Sequence, residues 1–579
     1  MIESSAHDSI CGCSADAVCR QVLVRLEEAE QIATGLANEA AEAVARRVPR
    51  GSTAVLNPSP HPRSELVELE LPIPEKWDDV AFELPGGSRL ATQELGRSEP
   101  LLLERELVGG EIPEFLARRL HGREIFGRQL NGFTVDRDEG EPRLTLAVGD
   151  EPDPAWLDVD ELRAEIDLAC HAPPDGPWHL RVLAPSRRRL ATVVPVPPLG
   201  WTSLRAVAGT GPENGTVRAE GRRLFGDLLE VEVAEDGTLR GAGIDRIARI
   251  VDGGDFGDTY NYAPPRVDTL VDRPESVEVE ISEAGPLRAE LVVRRRFRWP
   301  LGVQAHGTAR TEETASVDVE TRVELRAGEP FVRLRVSFDN PCRDHRVRIH
   351  VPLPAVATGS AAEGQFAVVE RGLSAEGGYG ETAVPTFPAR GFVAAGGIAA
   401  LLEHVVEYEV VDGAELALTV LRSTGLISRN ENSWREDPAG PEIAVPDAQL
   451  LGGPRSLSFA LMPFEGSWSD AGVLAQMERF QHPFPTEPGT GAVGRAAEET
   501  GLAVDGDGVT LSSLRLRNGW LELRLVSQSP RAAHAVVHGR FGEARTADLG
   551  GNPDETLAVA GGELALELEP WEIRTVQLR

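Results

Sequence analysis

The sequence lacks the features that nucleic-acid-binding and membrane-spanning proteins usually carry. Lysine and arginine number 59 against 92 aspartate and glutamate residues, giving a formal net charge of −33, and that excess repels phosphate backbones and anionic lipid surfaces. No segment reaches the ~18–20 consecutive apolar residues that a membrane helix needs, and charges interrupt the first thirty positions, where a signal peptide has its apolar centre. These absences argue against nucleic acid and lipid as partners and predict a soluble, cytoplasmic protein.

Cysteine is also scarce. The five cysteines are Cys11, Cys13, Cys19, Cys170 and Cys342, an odd and sparse set that does not resemble a disulfide framework. We therefore expect reduced thiols.

One long helix is predicted near the start. Apolar residues recur at steps of three and four from Val18 to Val44, which predicts a helix from about Ser14 to Arg47 with one apolar stripe. Ser14 is the expected N-cap, and Asp16 suits the positive end of the helix dipole. A helix with one apolar face must pack on other helices or on a sheet. No second comparable helical pattern follows, so we expect its partners to lie upstream of Met1.

From Thr53 onward the apolar period changes to two. The runs from Val67 to Leu71, Val277 to Val293 and Val317 to Phe338 alternate apolar and polar residues and are separated by short turns, as in antiparallel sandwiches with one packed and one solvated face. The fold class expected is mainly β: a short N-terminal helical segment followed by antiparallel β-sandwich domains. We expect a helical segment at 1–50, a first β-domain at 51–198, a large β-sandwich at 199–487 and a C-terminal β-sandwich at 508–579.

The candidate metal ligands lie at the start of the chain. His7 and Asp8 stand directly before the helix, and an imidazole with a neighbouring carboxylate is suited to bind zinc or to orient a hydroxyl group. His7, Cys11, Cys13 and Cys19 form an alternative set of soft ligands, although they lack paired Cys-x-x-Cys spacing. An exposed loop with unliganded thiols is the simplest interpretation of the same residues.

Several strings resemble one family. The opening AHDSICGCSADAVCRQVLVRLEEAEQIA, then TAVLNPSPHPRSELVELELP at 53–72, GDFGDTYNYAPP at 254–265 and LRSTGLISRNENSWREDPAGPEIAVPDAQ at 421–449 resemble, in order, the carboxy-terminal portion of bacterial family 38 α-mannosidases. The likeness extends over essentially the whole chain.

The resemblance implies specific roles. His7 would be one ligand of a catalytic zinc ion, and Asp8 would accept hydrogen bonds from the hydroxyls of the mannose that is cleaved. Tyr260 would line that subsite, and Arg435 would reach it from a β-domain loop, with Arg429 as the rival for that role. An exposed turn for Tyr260 and a solvated surface charge for either arginine are the plainer alternatives.

The resemblance also implies an incomplete enzyme. Family members are retaining enzymes whose nucleophile and His-x-Asp zinc ligands lie in an N-terminal barrel, and no His-x-Asp string occurs in this sequence. The expected substrate is an α-mannoside or oligosaccharide, cleaved by an α-mannosidase or by a mannosyl-glycerate-type hydrolase. We expect the chain to be inactive alone, because its barrel is missing through truncation or a mis-called start codon, or is encoded separately. Homo-oligomerisation is a further possibility. The alternative from another class is a non-catalytic carbohydrate-binding or interaction protein, and a β-rich accessory domain of a lyase or phosphorylase shares the architecture.

Overall fold

The computed structural model describes residues 2–74, 76–98, 101–136, 142–149, 152, 158–170, 176–212, 215–375, 377–378, 380–492 and 497–579. Far more of these residues lie in β-strands than in helices. The helices of the described ranges are α1 (His7–Ile10), α2 (Asp16–Ala45), α3 (Glu111–Arg119), α4 (Val159–Cys170), α5 (Pro446–Leu450) and α6 (Val473–Gln481), with 3₁₀ turns at Ile2–Ser4 and Ala305–Gly307. The mainly β fold with a helical start is confirmed.

Helix α2 begins and ends within two residues of the predicted bounds. Asp16 lies in its first turn, as expected, but the N-cap prediction was wrong: Ala15 occupies that position without a side-chain cap. The Ser14 hydroxyl instead donates to the carbonyl of Asp8 at 2.9 Å. Ser14, the predicted N-cap of α2, therefore stabilises the preceding turn, α1.

Most of α2 is uncovered. Its buried residues are Val22, Ala41 and Ala45, whereas Ile32 is 65% exposed and Leu36 is 62% exposed. The helix packs through its two ends, and its middle projects from the β-rich body without a partner among the described residues.

Two sheets form the region after α2. A three-stranded sheet contains Arg63–Pro72, Arg187–Val196 and Gln93–Ser98. A six-stranded sheet contains Thr486–Pro488, Thr53–Leu56, Trp201–Ala208, Val80–Glu83, Arg89–Leu90 and Glu498–Glu499. This second sheet combines strands from both sides of the expected boundaries near 198 and 487. The boundaries themselves stay predictions.

An insert of mixed structure interrupts this region. Its sheet contains Leu101–Val108, Pro177–Leu183, Arg143–Gly149, Arg128–Asp136, Glu124–Ile125 and Leu120–His121. The pair Arg143–Gly149 and Pro177–Leu183 is parallel, and α4 lies between its two strands in the chain, as a parallel connection requires. The sequence patterns did not reveal this insert, because its helices are short and its parallel pair is joined through α4 and not through a hairpin.

The large β-domain places two sheets around one core. The nine-stranded sheet runs in the order Ser276–Ala284, Arg288–Pro300, Thr314–Arg326, Val332–Asp339, Pro454–Pro463, Ile398–Leu402, Phe392–Ala395, Gly359–Glu363 and Val368–Gly372. The five-stranded sheet, called the site sheet below, runs in the order Arg249–Gly254, His345–Pro352, Glu415–Ser423, Glu407–Val411 and Thr386–Pro388. Side chains of both sheets, such as Leu334 and Leu418, share one buried cluster. The predicted alternating runs therefore pack as expected.

The remaining strands form a meander before this core and a small sandwich after it. The meander contains Arg218–Glu220, Arg223–Phe225, Glu230–Val233, Leu239–Gly241 and Ile244–Ile247. The C-terminal sheets contain Ala503–Asp505, Ala533–His538 and Glu563–Leu568 in one, and Val509–Arg517, Trp520–Ser527, Ile573–Leu578, Ala544–Ala547 and Pro553–Leu557 in the other. In the described ranges, no helix has the length and apolar character needed to cross a bilayer.

Candidate functional site

The His-Asp pair lies in a short helical turn at the surface. The His7 side chain is 95% exposed, and its Nε2 lies 3.5 Å from Oδ1 of Asp8, which is about half exposed. The thiol of Cys11 donates to the His7 carbonyl at 2.7 Å. This hydrogen bond holds the backbone of His7 in place. The imidazole itself is open to a ligand from solvent.

Cys13 joins this turn to the large β-domain. Its thiol donates to the carbonyl of Thr259 at 3.2 Å. Thr259 in turn donates through its amide to the Leu426 carbonyl and through its hydroxyl to the Ile427 carbonyl. Burial, aided by neighbouring Cys11, raises the pKa of Cys13 to about 11, so this thiol stays protonated and serves as a donor. These three hydrogen bonds connect three segments that are distant in the sequence.

Tyr260 follows Thr259 at this junction, in a loop that the Cys13–Thr259 hydrogen bond ties to the turn carrying Asp8. The tyrosine is 40% exposed. Desolvation, followed by the negative charge of Asp8, raises the pKa of its phenol. The structure therefore brings together Asp8 and Tyr260, which the sequence places 252 positions apart, with both side chains open to solvent.

Asp258 organises the loops behind Tyr260. This carboxylate is fully buried. One oxygen accepts hydrogen bonds from the backbone amides of Tyr260 and Asn261 at 3.0 and 2.9 Å. The other oxygen accepts hydrogen bonds from the Arg429 backbone amide at 2.8 Å and from Nη2 of Arg435 at 2.6 Å. We call Asp258 and Arg435 the buried clasp, because together they fix the 254–265 loop against the 428–437 loop.

Arg435 lies within the protein, behind the exposed surface. Its side chain is 3% exposed, and besides Asp258 it donates to the Asp437 carbonyl, to the Asn261 side chain and to the Ser428 hydroxyl. Every nitrogen of the guanidinium group already has an acceptor within the protein. The substrate contact expected for Arg435 stays a prediction, and its observed contacts are those of a positioning residue.

Arg429, the rival, lines an open cavity. Its guanidinium stacks 3.9 Å from the ring centroid of Phe256 and lies 3.9 Å from the carboxylate of Asp344. Its Nε donates to the Gly257 carbonyl at 3.1 Å. The cavity measures about 560 Å³ and is adjacent to the Thr259 junction, since Leu426 and Phe256 belong to its wall.

A second buried ion pair supports the same loop. Asp255 is fully buried, and it accepts Nε of Arg422 at 2.6 Å and the amide of Gly257 at 2.9 Å. Arg422 also donates to the Asp258 carbonyl at 2.6 Å. Sequence reasoning missed both aspartates as organising residues, and the only signal for them was the spacing Gly-Asp-x-Gly-Asp in the loop.

Helix α2 is anchored on the other side of the site. The Asp16 carboxylate accepts the amides of Asp447 and Ala448 at 2.9 and 3.2 Å, and so caps the start of α5. Arg20 pairs with the Asp447 carboxylate. The first turn of α2 is therefore tied to the same 421–449 segment that carries Arg429 and Arg435.

The described residues do not form a closed metal site. No group of three or more His, Cys, Asp or Glu side chains among them could hold an ion, whereas a catalytic zinc site takes three protein ligands. The cysteine alternative is not assembled either, because the thiols of Cys11, Cys13 and Cys19 each point to a backbone carbonyl. His7 alone does not fit a zinc ion, although its exposure leaves the imidazole available as one ligand.

Comparisons with known proteins show which solved structures share this fold. No protein-family model and no curated protein matches the chain. Two solved structures from Enterococcus faecalis match all of it with a TM-score of 0.71 and 17% identity, one described as an α-mannosidase from strain V583 and the other as a protein in glycosyl hydrolase family 38.

The chain spans 62% and 65% of the length of those two structures, less than two thirds of either. The expected resemblance is thereby confirmed at the level of the fold. This chain has, along its full length, the fold of a portion of family 38 glycoside hydrolase structures.

Proposed function

We propose that this chain is the β-rich part of a zinc-dependent, retaining α-mannosidase that hydrolyses terminal α-mannosides. Asp8 and Tyr260 line the mannose subsite, and His7 provides one ligand of a zinc ion completed by other polypeptide. The observation that carries the proposal is the junction of Asp8 with Tyr260, made through the Cys13–Thr259 hydrogen bond. The matching fold of an α-mannosidase supports it independently.

The roles of the residues in this chain follow from their exposure. The Asp8 carboxylate accepts hydrogen bonds from sugar hydroxyls, which two adjacent carboxylate oxygens do well. The Tyr260 ring covers an apolar face of the sugar, and its hydroxyl donates a hydrogen bond to the substrate. The buried clasp holds the Tyr260 loop in place, since binding groups act only when their supports are fixed.

The nucleophile and acid come from a barrel outside this chain. Retaining hydrolysis needs two carboxyls roughly 5 Å apart on either side of the scissile bond. The uncovered stripe of α2, with Ile32 and Leu36 exposed, is the surface on which the barrel-bearing segment docks, because an amphipathic helix is covered by a matching apolar face. A cytoplasmic location remains part of this proposal.

The test is complementation. The chain is purified alone and also co-expressed with whatever polypeptide is encoded directly upstream of Met1, and release of nitrophenol from p-nitrophenyl α-mannoside is measured with added zinc. We expect background rates from the chain alone and zinc-dependent turnover from the pair. An upstream region without a barrel, together with mannoside binding but no turnover, would instead favour the non-catalytic carbohydrate-binding protein.

A further inference from the structure

A second cavity lies on the outer face of the nine-stranded sheet, beside α6. Its volume is about 310 Å³, and Phe480 of α6 belongs to its wall. Arg335 also lines the cavity, and it alternates along its strand with Leu334 and Val336, which point into the core shared with the site sheet. The cavity therefore opens on the side of this sheet that faces away from the site sheet.

The wall of this cavity is rich in arginine, although the chain as a whole carries a net charge of −33. Among the described residues, five guanidinium groups and three carboxylates line it. The guanidinium groups belong to Arg288, Arg322, Arg326, Arg333 and Arg335. A local excess of positive charge in an acidic protein favours an anionic ligand.

Two of the three carboxylates are buried and already paired. Glu290 is 4% exposed and accepts hydrogen bonds from Arg322 at 2.8 Å and from Arg288 at 2.9 Å. Glu324 is 11% exposed and pairs with Arg326 and Arg288. These carboxylates neutralise the arginines nearest to them and fix the orientation of their side chains. Fixed orientation is what a binding group needs.

Arg335 differs from its neighbours because it has no such partner. Its side chain is exposed, and no carboxylate in the part of the chain that the structure describes pairs with it. The strand register places it directly opposite Arg322 on one side and Ser458 on the other. Like charges directly opposite each other across two strands are destabilising. The third carboxylate, Glu403, is about half exposed to solvent, which screens its charge.

We propose that this cavity binds a tetrahedral dianion, namely a phosphate group that is either free or carried by a small molecule. Arg322 and Arg335 bind it from adjacent strands through charge-assisted hydrogen bonds, and the bound dianion removes the repulsion between them. The Ser458 hydroxyl donates a further hydrogen bond. The ring of Phe480 provides an apolar surface for a group attached to the phosphate. Binding here uses no residue of the proposed mannose subsite.

Isothermal titration calorimetry of the full chain tests the proposal with inorganic phosphate, glucose 6-phosphate and acetate. The buffer is phosphate-free, of low salt, and at about pH 8, where a phosphate monoester carries nearly two negative charges. We expect saturable binding of a phosphate probe and about tenfold weaker binding of acetate, because a monoanion gains less from two guanidinium groups. Tighter binding of the ester would identify a phosphorylated small molecule as the source, and equal or weaker binding would identify the free ion.

Two replacements of Arg335 and one matched control locate the contact. Arg335→Ala should weaken the binding of phosphate about tenfold, and Arg335→Lys should restore only part of the affinity, because an ammonium group lacks the planar fork of donors. The control Arg296→Ala removes an exposed arginine from the same face of the sheet, but one that is paired with Asp318 at 2.7 Å. This control should leave the affinity for phosphate unchanged.

Three results would overturn the proposal: no saturable binding of either phosphate probe, acetate binding as tightly as phosphate, or equal losses in Arg335→Ala and Arg296→Ala. Equal losses would mean that phosphate responds only to the general charge of the surface. Because Arg335 is exposed, its replacement should leave the fold intact, and urea unfolding of each variant checks that any loss of affinity is local.

Discussion

The large β-domain and helix α2 differ in the exposure of the same kinds of side chain: leucines and charged residues are buried in the domain and exposed on the helix. In the β-domain, Leu418 is fully buried in a core shared by two sheets, and Asp258 is fully buried against Arg435. In α2, Leu36 is 62% exposed, and the charged Arg20 and Asp447 that anchor it are more than half exposed. The β-domain therefore contains the partners of its own side chains, whereas the middle of α2 presents apolar side chains that no described residue covers.

The candidate site shows the same contrast between buried positioning groups and exposed groups. Groups that must stay still, the buried clasp and the Asp255–Arg422 pair, are enclosed by the β-domain. The groups proposed to meet a ligand, His7, Asp8 and Tyr260, are open to solvent at the boundary with α2.

Removing the buried carboxylate should give the largest loss of stability. Asp258→Ala leaves Arg435 as an uncompensated buried charge, and breaking such a pair costs about 3–5 kcal/mol. Urea unfolding monitored by tryptophan fluorescence measures the change. The control Asp245→Ala removes an exposed partner of Arg240 and should change the free energy of unfolding by less than about 1 kcal/mol. Equal effects from the two variants would show that the clasp does not support the fold.

A matched pair of leucines compares the two regions directly. Leu418→Ala creates a core cavity and should cost about 2–5 kcal/mol. Leu36→Ala removes the same atoms from an exposed surface and should change stability by no more than about 0.5 kcal/mol. The same unfolding measurement applies to both. A large loss in Leu36→Ala would mean that α2 is already covered in the isolated chain.

The third prediction concerns the thiols at the junction. Because burial raises the pKa of Cys13 to about 11, only on the order of one thiol in a thousand is ionised at pH 8, and the thiolate is the reactive form. Iodoacetamide should therefore label exposed Cys11 well before Cys13, and labelling of Cys13 should accelerate as the pH approaches 11. Mass spectrometry of the N-terminal peptide distinguishes the two sites. Similar rates at pH 8 would mean that the His7 turn is not docked on Thr259.

Local patterns predicted the elements well. The three-and-four spacing gave α2 to within two residues at each end, and alternation gave the hairpin of Thr314–Arg326 with Val332–Asp339. These features depend on neighbours in the sequence. The insert with α3 and α4 escaped because a parallel pair across a helix leaves no hairpin signature.

The site was predictable only in part. The family resemblance pointed to Asp8 and Tyr260, and the structure brings them together. Asp258 was missed because its partner Arg435 is 177 residues away, and no local spacing reveals such a pair. Ser14 was assigned to the wrong role for a local reason, since its acceptor is the carbonyl of Asp8 in a turn that the periodicity did not predict.

Under the proposed function, His7 and its neighbours complete an α-mannosidase site with polypeptide from elsewhere. The most direct measurement is zinc-dependent nitrophenol release by the co-expressed pair, comparing His7→Ala with His121→Ala, a control at an exposed strand position. The account predicts that the first variant loses most turnover, because a metal ligand is missing, and that the second retains it. Full activity of His7→Ala, or turnover by the chain alone, would contradict the account.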